Sequence, residues 1–238
     1  VFASDLLLVL TIISQTAVLL VDNFDRLETS NAIINNQQAD RLLENEVNTL
    51  RSNALSYASW DQTYDFAMGL NPDYMRVVFS ELTFLNLGIN AVIVTNNTYD
   101  IITRLYYEGG IRALPTDFYA HLNRTGSDLL VQGIKEGCSG VLMVGSTPFL
   151  ISAQPIHRSV PGGGDENPAG VFVLAKMIDP GLVDQFQQHL VSQSLSVSIY
   201  AFGAYIDDFG NGSDYGEDLI SRRTVVAATG EDSISGLS

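Results

Sequence analysis

The chain has 238 residues, enough for one sizeable domain with attachments or for two small ones. Against 12 Lys and Arg it carries 27 Asp and Glu, and the resulting formal charge of -15 repels nucleic acid and anionic membrane surfaces, so a nucleic-acid partner is excluded. Its one cysteine, Cys138, rules out an internal disulfide and a zinc site built on several thiolates, which leaves packing as the source of stability.

From Leu6 to Val21 the sequence is almost entirely apolar, and residues 1–21 have about the 20-residue length that a helix needs to cross a bilayer. We read them as a transmembrane helix that anchors the chain through Leu6–Val21. An uncleaved signal sequence and a buried core helix compete with that reading, and the first lacks a small-residue cleavage pattern before Asp22. Residues 22–68 contain neither Pro nor Gly, which predicts one continuous stem helix. Leu43, Val47, Leu50, Ala54 and Tyr57 recur along it at spacings of four and three, as a helical seam does. That seam predicts either a homodimer through the stem helix or packing of the stem on its own domain.

Asn71-Pro72 opens a second helix to about Leu85, with Met75, Val78, Phe79 and Leu82 on its apolar face. Ile89–Thr95 and Ile101–Tyr107 are rich in β-branched residues and flank the Asn96-Asn97 turn, which predicts a first hairpin. Helices follow over Leu114–Leu122 and from Ser127 to about Lys135, before Gly137. Three strands come next, Gly140–Val144, Phe149–Ile156 and Gly170–Met177. The link between the last two holds Gly162-Gly163-Gly164 and reads as an exposed loop, without the Lys-Ser/Thr ending of a phosphate grip. Asp179-Pro180 starts an amphipathic helix to about Leu190, Leu195–Tyr200 reads as a strand, and Arg222–Ala228 as one more. Between these strands Asp207–Asp218 is acidic and glycine-rich, but Phe209 stands where a calcium loop needs a carboxylate.

The fold class is therefore α+β: a long N-terminal helix, membrane span plus stem, then an antiparallel sheet flanked by helices. Short links force antiparallel pairing and predict the helices on one side of the sheet. The expected division is a transmembrane helix at 1–21, a stem at 22–68, an α+β domain at 69–202, and an acidic loop with a C-terminal strand at 203–238.

The densest chemistry lies between Tyr57 and Phe66. On a helix, Tyr57, Trp60, Asp61, Tyr64 and Asp65 share a face or adjoin one, which sets two carboxylates among three large rings. A face of that kind suits a small polar or cationic ligand, and these five are the candidate ligand-binding residues. The competing reading buries Trp60 and Tyr64 as core anchors and has Asp61 cap or pair inside the domain. No catalytic residue, metal or cofactor is predicted. His121, His157 and His189 are isolated, and Asp61 and Asp65 lack a partner motif for hydrolysis. Asn96-Asn97-Thr98, Asn123-Arg124-Thr125 and Asn211-Gly212-Ser213 fit the N-glycosylation pattern and are compatible with an outside location.

The Trp60-Asp61-x-Thr63-Tyr64-x-Phe66 run resembles the signature of the type-four CHASE domain, an extracytoplasmic sensory module of histidine kinases and cyclase-type receptors. The likeness continues through Leu87–Val94, Leu150–Ile156 and Ala169–Val173, and Asn23–Glu28 looks like the membrane exit of such receptors. The resemblance implies a PAS-like or Cache-like sensor fold outside the cytoplasm, a membrane helix on each side and a cytoplasmic output domain. This sequence shows neither a second span nor an output domain, and is expected to be a fragment or a relative that lost its cytoplasmic half. The family has no single agreed ligand, so the small-molecule partner stays unknown. The expected function is thus ligand sensing by a membrane-anchored receptor, not catalysis, with a ligand-induced shift passed through the stem. A pilin-like subunit is the alternative, its apolar helix in a filament core and a globular head in solvent.

Overall fold

Helix α1 occupies residues 37–58 in a computed structural model that describes residues 37–122, 128–159 and 167–189. Also described are the backbone of residues 195–201 and 224–230 and single positions at 15, 26, 27, 30 and 34. Apart from Gln15, the apolar stretch Leu6–Val21 lies outside the described residues, as do the glycine loop 160–166 and the acidic segment 207–218. Among the described residues no helix is long and apolar enough to cross a membrane. Two compact units divide the chain: Leu43–Leu182 with Ile199–Val225, and Val1–Leu42 with Val183–Ser198 and Val226–Ser238. The six-stranded sheet and the helices that cover it belong to the first.

Along α1 the buried positions are Ala39, Leu43, Leu50, Ala54 and Ala58, a helical stripe close to the one read from the sequence. The helix does not continue to Met68 as expected. It stops after residue 58, Trp60 is extended (φ -79°, ψ 135°), and α2 starts afresh over Asp61–Ala67. The stripe itself explains the break. Carried on from Ala58 in steps of four, it would turn Gln62 and its polar amide under the domain, whereas the restart leaves Gln62 exposed. Restarting the helix turns Thr63, Tyr64, Phe66 and Ala67 inward instead. Without Pro or Gly, the chain stops through Ser59, whose N–H (3.0 Å) and hydroxyl (2.8 Å) both donate to the Leu55 carbonyl. The Trp60 carbonyl then accepts the first N–H groups of α2, from Thr63 (2.9 Å) and Tyr64 (3.0 Å).

The helix expected from Asn71 to Leu85 is likewise two, α3 (Tyr74–Val78) and α4 (Glu81–Leu87). Ser80 is extended between them, and the Thr83 hydroxyl reaches back to the Val78 carbonyl (2.7 Å) at the end of α3. The break lets Phe79 and Phe84 both bury fully, their rings 6.3 Å apart edge to face. Gly88 ends α4 in the left-handed region (φ 60°), where a β-carbon is disfavoured.

Strands β1 (Ala91–Thr95), β2 (Ile101–Tyr107), β3 (Ile111–Arg112), β4 (Cys138–Val144), β5 (Thr147–Pro155) and β6 (Val171–Met177) form one sheet in the order β3-β2-β1-β6-β5-β4. Every pairing is antiparallel, as short hairpin links require. Between strands stand α5 (Thr116–Leu122) and α6 (Asp128–Lys135), and after β6 comes α7 (Pro180–Gln188). Strands β7 (Leu195–Ala201) and β8 (Thr224–Gly230) pair as a separate two-stranded sheet.

Helices cover both faces of the six-stranded sheet, which corrects the expectation that they lie on one side. Val171, Val173 and Ala175 of β6 pack with Phe118 and Leu122 of α5 and with Leu129 and Leu130 of α6. The intervening Phe172 points the other way, its ring 6.0 Å from Tyr57 at the end of α1 and 5.9 Å from Phe79 after α3. On that same face Tyr107 of β2 stacks on Phe84 of α4 at 5.6 Å. Strand composition explains the double cover: β1 is buried at all five positions and β6 at its first five, so neither face can be left in water.

Candidate functional site

The break between α1 and α2 brings the five candidate residues to one place in the domain, although not on one helical face. Tyr57, in the last turn of α1, is half-buried, with its ring 4.7 Å from Trp60 and 5.0 Å from Phe79. Trp60 sits in the extended link and keeps 41 % of its surface exposed. Tyr64 is buried in α2, whereas Asp61 is exposed and Asp65 partly so. Of the aromatic residues, then, Tyr57 and Tyr64 serve the interior and Trp60 faces solvent.

Both carboxylates are engaged by a segment that the sequence did not point to. Residues His157, Arg158 and Ser159 leave the end of β5 and cross the α1–α2 junction. The His157 N–H donates to the carbonyl of Ala58 (3.3 Å), the Arg158 guanidinium to Asp65 (Nη2 to Oδ1, 2.8 Å), and the Ser159 N–H to Asp61 (2.9 Å). Arg158 also lies over the ring of Tyr64, 4.7 Å from its centroid. The aromatic-and-carboxylate face thus already holds a cation, and that cation is the chain's own arginine. Ninety-three residues separate Arg158 from Asp65, which is why no local pattern reveals the pair. The one sequence signal was the scarcity of cations, 12 in all, of which one follows strand β5.

Below this surface the junction is anchored by a buried hydroxyl pair, Thr63 Oγ1 and Tyr74 OH, 2.6 Å apart, which ties α2 to α3. Burial raises the Tyr74 hydroxyl above the usual phenol range, partly offset by the Thr63 hydrogen bond, and burial raises Tyr57 as well. Both rings therefore stay neutral and act by packing and hydrogen bonding. Among the described residues no group of three or more His, Cys, Asp or Glu is arranged to hold a metal ion. The arrangement offers a solvent-facing indole, two carboxylates and one guanidinium that pairs with Asp65 over the Tyr64 ring.

The sequence profile of the CHASE4 domain matches residues 42–198, well over half of the chain. Among solved structures the chain is similar to the periplasmic domain of Vibrio cholerae LuxQ, at 13% identity over 70% of this chain and 74% of that one, with a TM-score of 0.46. The selenomethionine form of the same domain gives 12% identity over the same shares and the same TM-score. No curated protein sequence matches the chain. The matched segment runs from the buried stripe of α1 through the junction and the whole six-stranded sheet, and the chain belongs to the CHASE4 family of extracytoplasmic sensory domains.

Proposed function

We propose that this domain is the sensing part of a membrane-anchored receptor, held by Leu6–Val21, and that it reads a small cationic molecule at the α1–α2 junction. The observation that carries the proposal is the internal cation: Arg158 shares its guanidinium between Asp65 at 2.8 Å and the Tyr64 ring at 4.7 Å. A small organic cation can make the same two contacts and add a third on the exposed face of Trp60. Binding then displaces Arg158, and with it the segment that also holds Ala58 and Asp61. Such a ligand shifts the domain only to the extent that it binds the released form more tightly.

Release of that segment frees the last carbonyl of α1, so the stem helix can shift against the sheet and pass a small displacement to the membrane. Homodimerisation of the stem, in this reading, uses residues upstream of Ala39, which like Leu43 is itself buried. Leu50, Ala54 and Ala58 are already buried within the chain and are not free to form a seam with a second copy. The test uses the intact receptor in membranes. Replacing Trp60 by Ala and Asp61 by Asn is expected to abolish the response while leaving the fold, checked by circular dichroism and proteolysis, intact. Unchanged signalling with unchanged folding would sink the proposal.

A further inference from the structure

The β1–β2 hairpin carries a motif that the sensing site does not use. Its loop, Asn96 to Asp100, contains Asn96-Asn97-Thr98, the N-glycosylation triplet that lies within the described residues; the triplets at Asn123 and Asn211 lie outside them. Asn97, Thr98 and Asp100 are exposed and Asn96 partly so. Tyr99 turns the chain through the left-handed region (φ 66°) and packs its ring against the core, which leaves Asn97, Thr98 and Asp100 on the solvent side of the loop.

The side chain of Asn96 is organised in a way that leaves one amide hydrogen over. Its Oδ1 accepts from the Thr98 N–H (3.0 Å) and the Asp100 N–H (2.8 Å), and the Thr98 hydroxyl shares its one hydrogen between this oxygen (2.8 Å) and Asp100 Oδ2 (2.7 Å). Its Nδ2 donates one of two hydrogens to Asp100 Oδ2 (3.2 Å), and the second makes no hydrogen bond among the described residues. Substituting that second hydrogen leaves every contact of the turn in place, because a glycosylated amide keeps one N–H and its carbonyl.

We infer that Asn96 accepts an N-linked glycan, the donor being an oligosaccharide carried on a lipid phosphate and the catalyst a separate membrane transferase. The step balances without redox chemistry: Nδ2 forms a bond to the anomeric carbon, the bond from that carbon to the lipid phosphate oxygen breaks, the phosphate keeps the electron pair, and one Nδ2 proton is lost. This inference rests on the extracytoplasmic placement, since such donors are presented on that side of the membrane.

The test is peptide mass spectrometry of the full chain purified from its own cells, before and after release of N-glycans in heavy-oxygen water. The expected result is a sugar mass on Asn96, converted on release to labelled Asp, lost in Thr98→Ala and kept in Thr98→Ser. A bare Asn96, sugar found only at Asn123 or Asn211, or sugar linked through the Thr98 oxygen would each overturn it. Labelling of intact cells with a membrane-impermeant amine reagent reports the placement separately. A domain that labels from outside yet has a bare Asn96 refutes the glycan alone.

Discussion

Lys176 and Glu46 meet at 2.7 Å, joining the end of β6 to the middle of α1 with less than a third of either side chain exposed. Lys176 is one of only two lysines in the chain, and this pair is the polar counterpart of the Tyr57–Phe172 contact on the same face of the sheet. Lys176→Met alone should destabilise the domain by about 1–3 kcal/mol, between the values typical of exposed and of buried pairs, because Glu46 is left half-buried without a partner. Adding Glu46→Leu should recover most of that loss, and urea unfolding of the four-membered cycle checks it. Equal and additive losses would show that the two charges do not act as a pair.

The Asp65–Arg158 pair is predicted to behave differently. With Arg158 43% and Asp65 37% exposed, solvent screens it, and Arg158→Met should cost about 1 kcal/mol or less in stability. In the proposed receptor its effect belongs to signalling. In the intact receptor this variant should shift the resting output toward the ligand-bound level and bring the affinity for small quaternary ammonium compounds up, since the internal competitor is gone. An unaltered resting output would argue that Arg158 is only a surface contact.

Gly170 and Gly109 separate two kinds of glycine requirement. A β-carbon on Gly170 would collide with the backbone carbonyl of Thr95, where β1 and β6 run side by side, so Gly170→Ala must push central strands apart. We expect a loss of roughly 3 kcal/mol or more, within the range of severe core substitutions, or failure to fold. At Gly109 a β-carbon meets nothing, and only the positive φ (62°) is disfavoured. There the cost should be about 1 kcal/mol. Thermal melts of the two variants give the comparison, and similar melting temperatures would refute it.

Cys138, packed between α6 and β5, has its thiol pushed up to about 11 from 9.0, chiefly by burial. The folded state therefore holds this proton more tightly than the unfolded chain. Its contribution to stability is complete below pH 9 and is lost as the pH rises toward 11. Near pH 8 the thiolate fraction should be about 100-fold below that of the unfolded chain, and thiol-reagent kinetics with and without denaturant check this. Tyr57, Tyr74 and Tyr106 are raised by burial too, so alkaline rather than acid titration should unfold the domain through these groups. Rapid labelling of Cys138 in the folded protein would contradict the packing described.

Much of the sheet was legible because its strands are short, β-branched and separated by turn residues. Ile101–Tyr107 coincides with β2 end to end, and the later three strands differ from expectation by one or two residues at their ends. Strand β3 escaped because two residues leave no periodic trace. The helix interruptions at Ser59-Trp60 and at Phe79-Ser80 escaped because neither uses Pro or Gly; they are imposed by which side chains must reach the sheet. The double cover was present in the sequence as the unbroken apolar runs of β1 and β6, a pattern of strands buried on both faces. Within the site, the aromatic and acidic residues were visible as a local motif. Their partner Arg158 was not, since only the folded sheet carries it to α2.

The extended residue between α1 and α2 also constrains what kind of motion can leave this domain. A straight shaft pushes along its own axis, but one with an elbow at Trp60 turns thrust arriving from α2 into sideways swing or roll of α1. A piston stroke generated at Asp61 or Asp65 would be absorbed at that bend. In the proposed receptor, what travels toward the bilayer from this site is therefore angular in character, set by how firmly residues 157–159 hold the elbow.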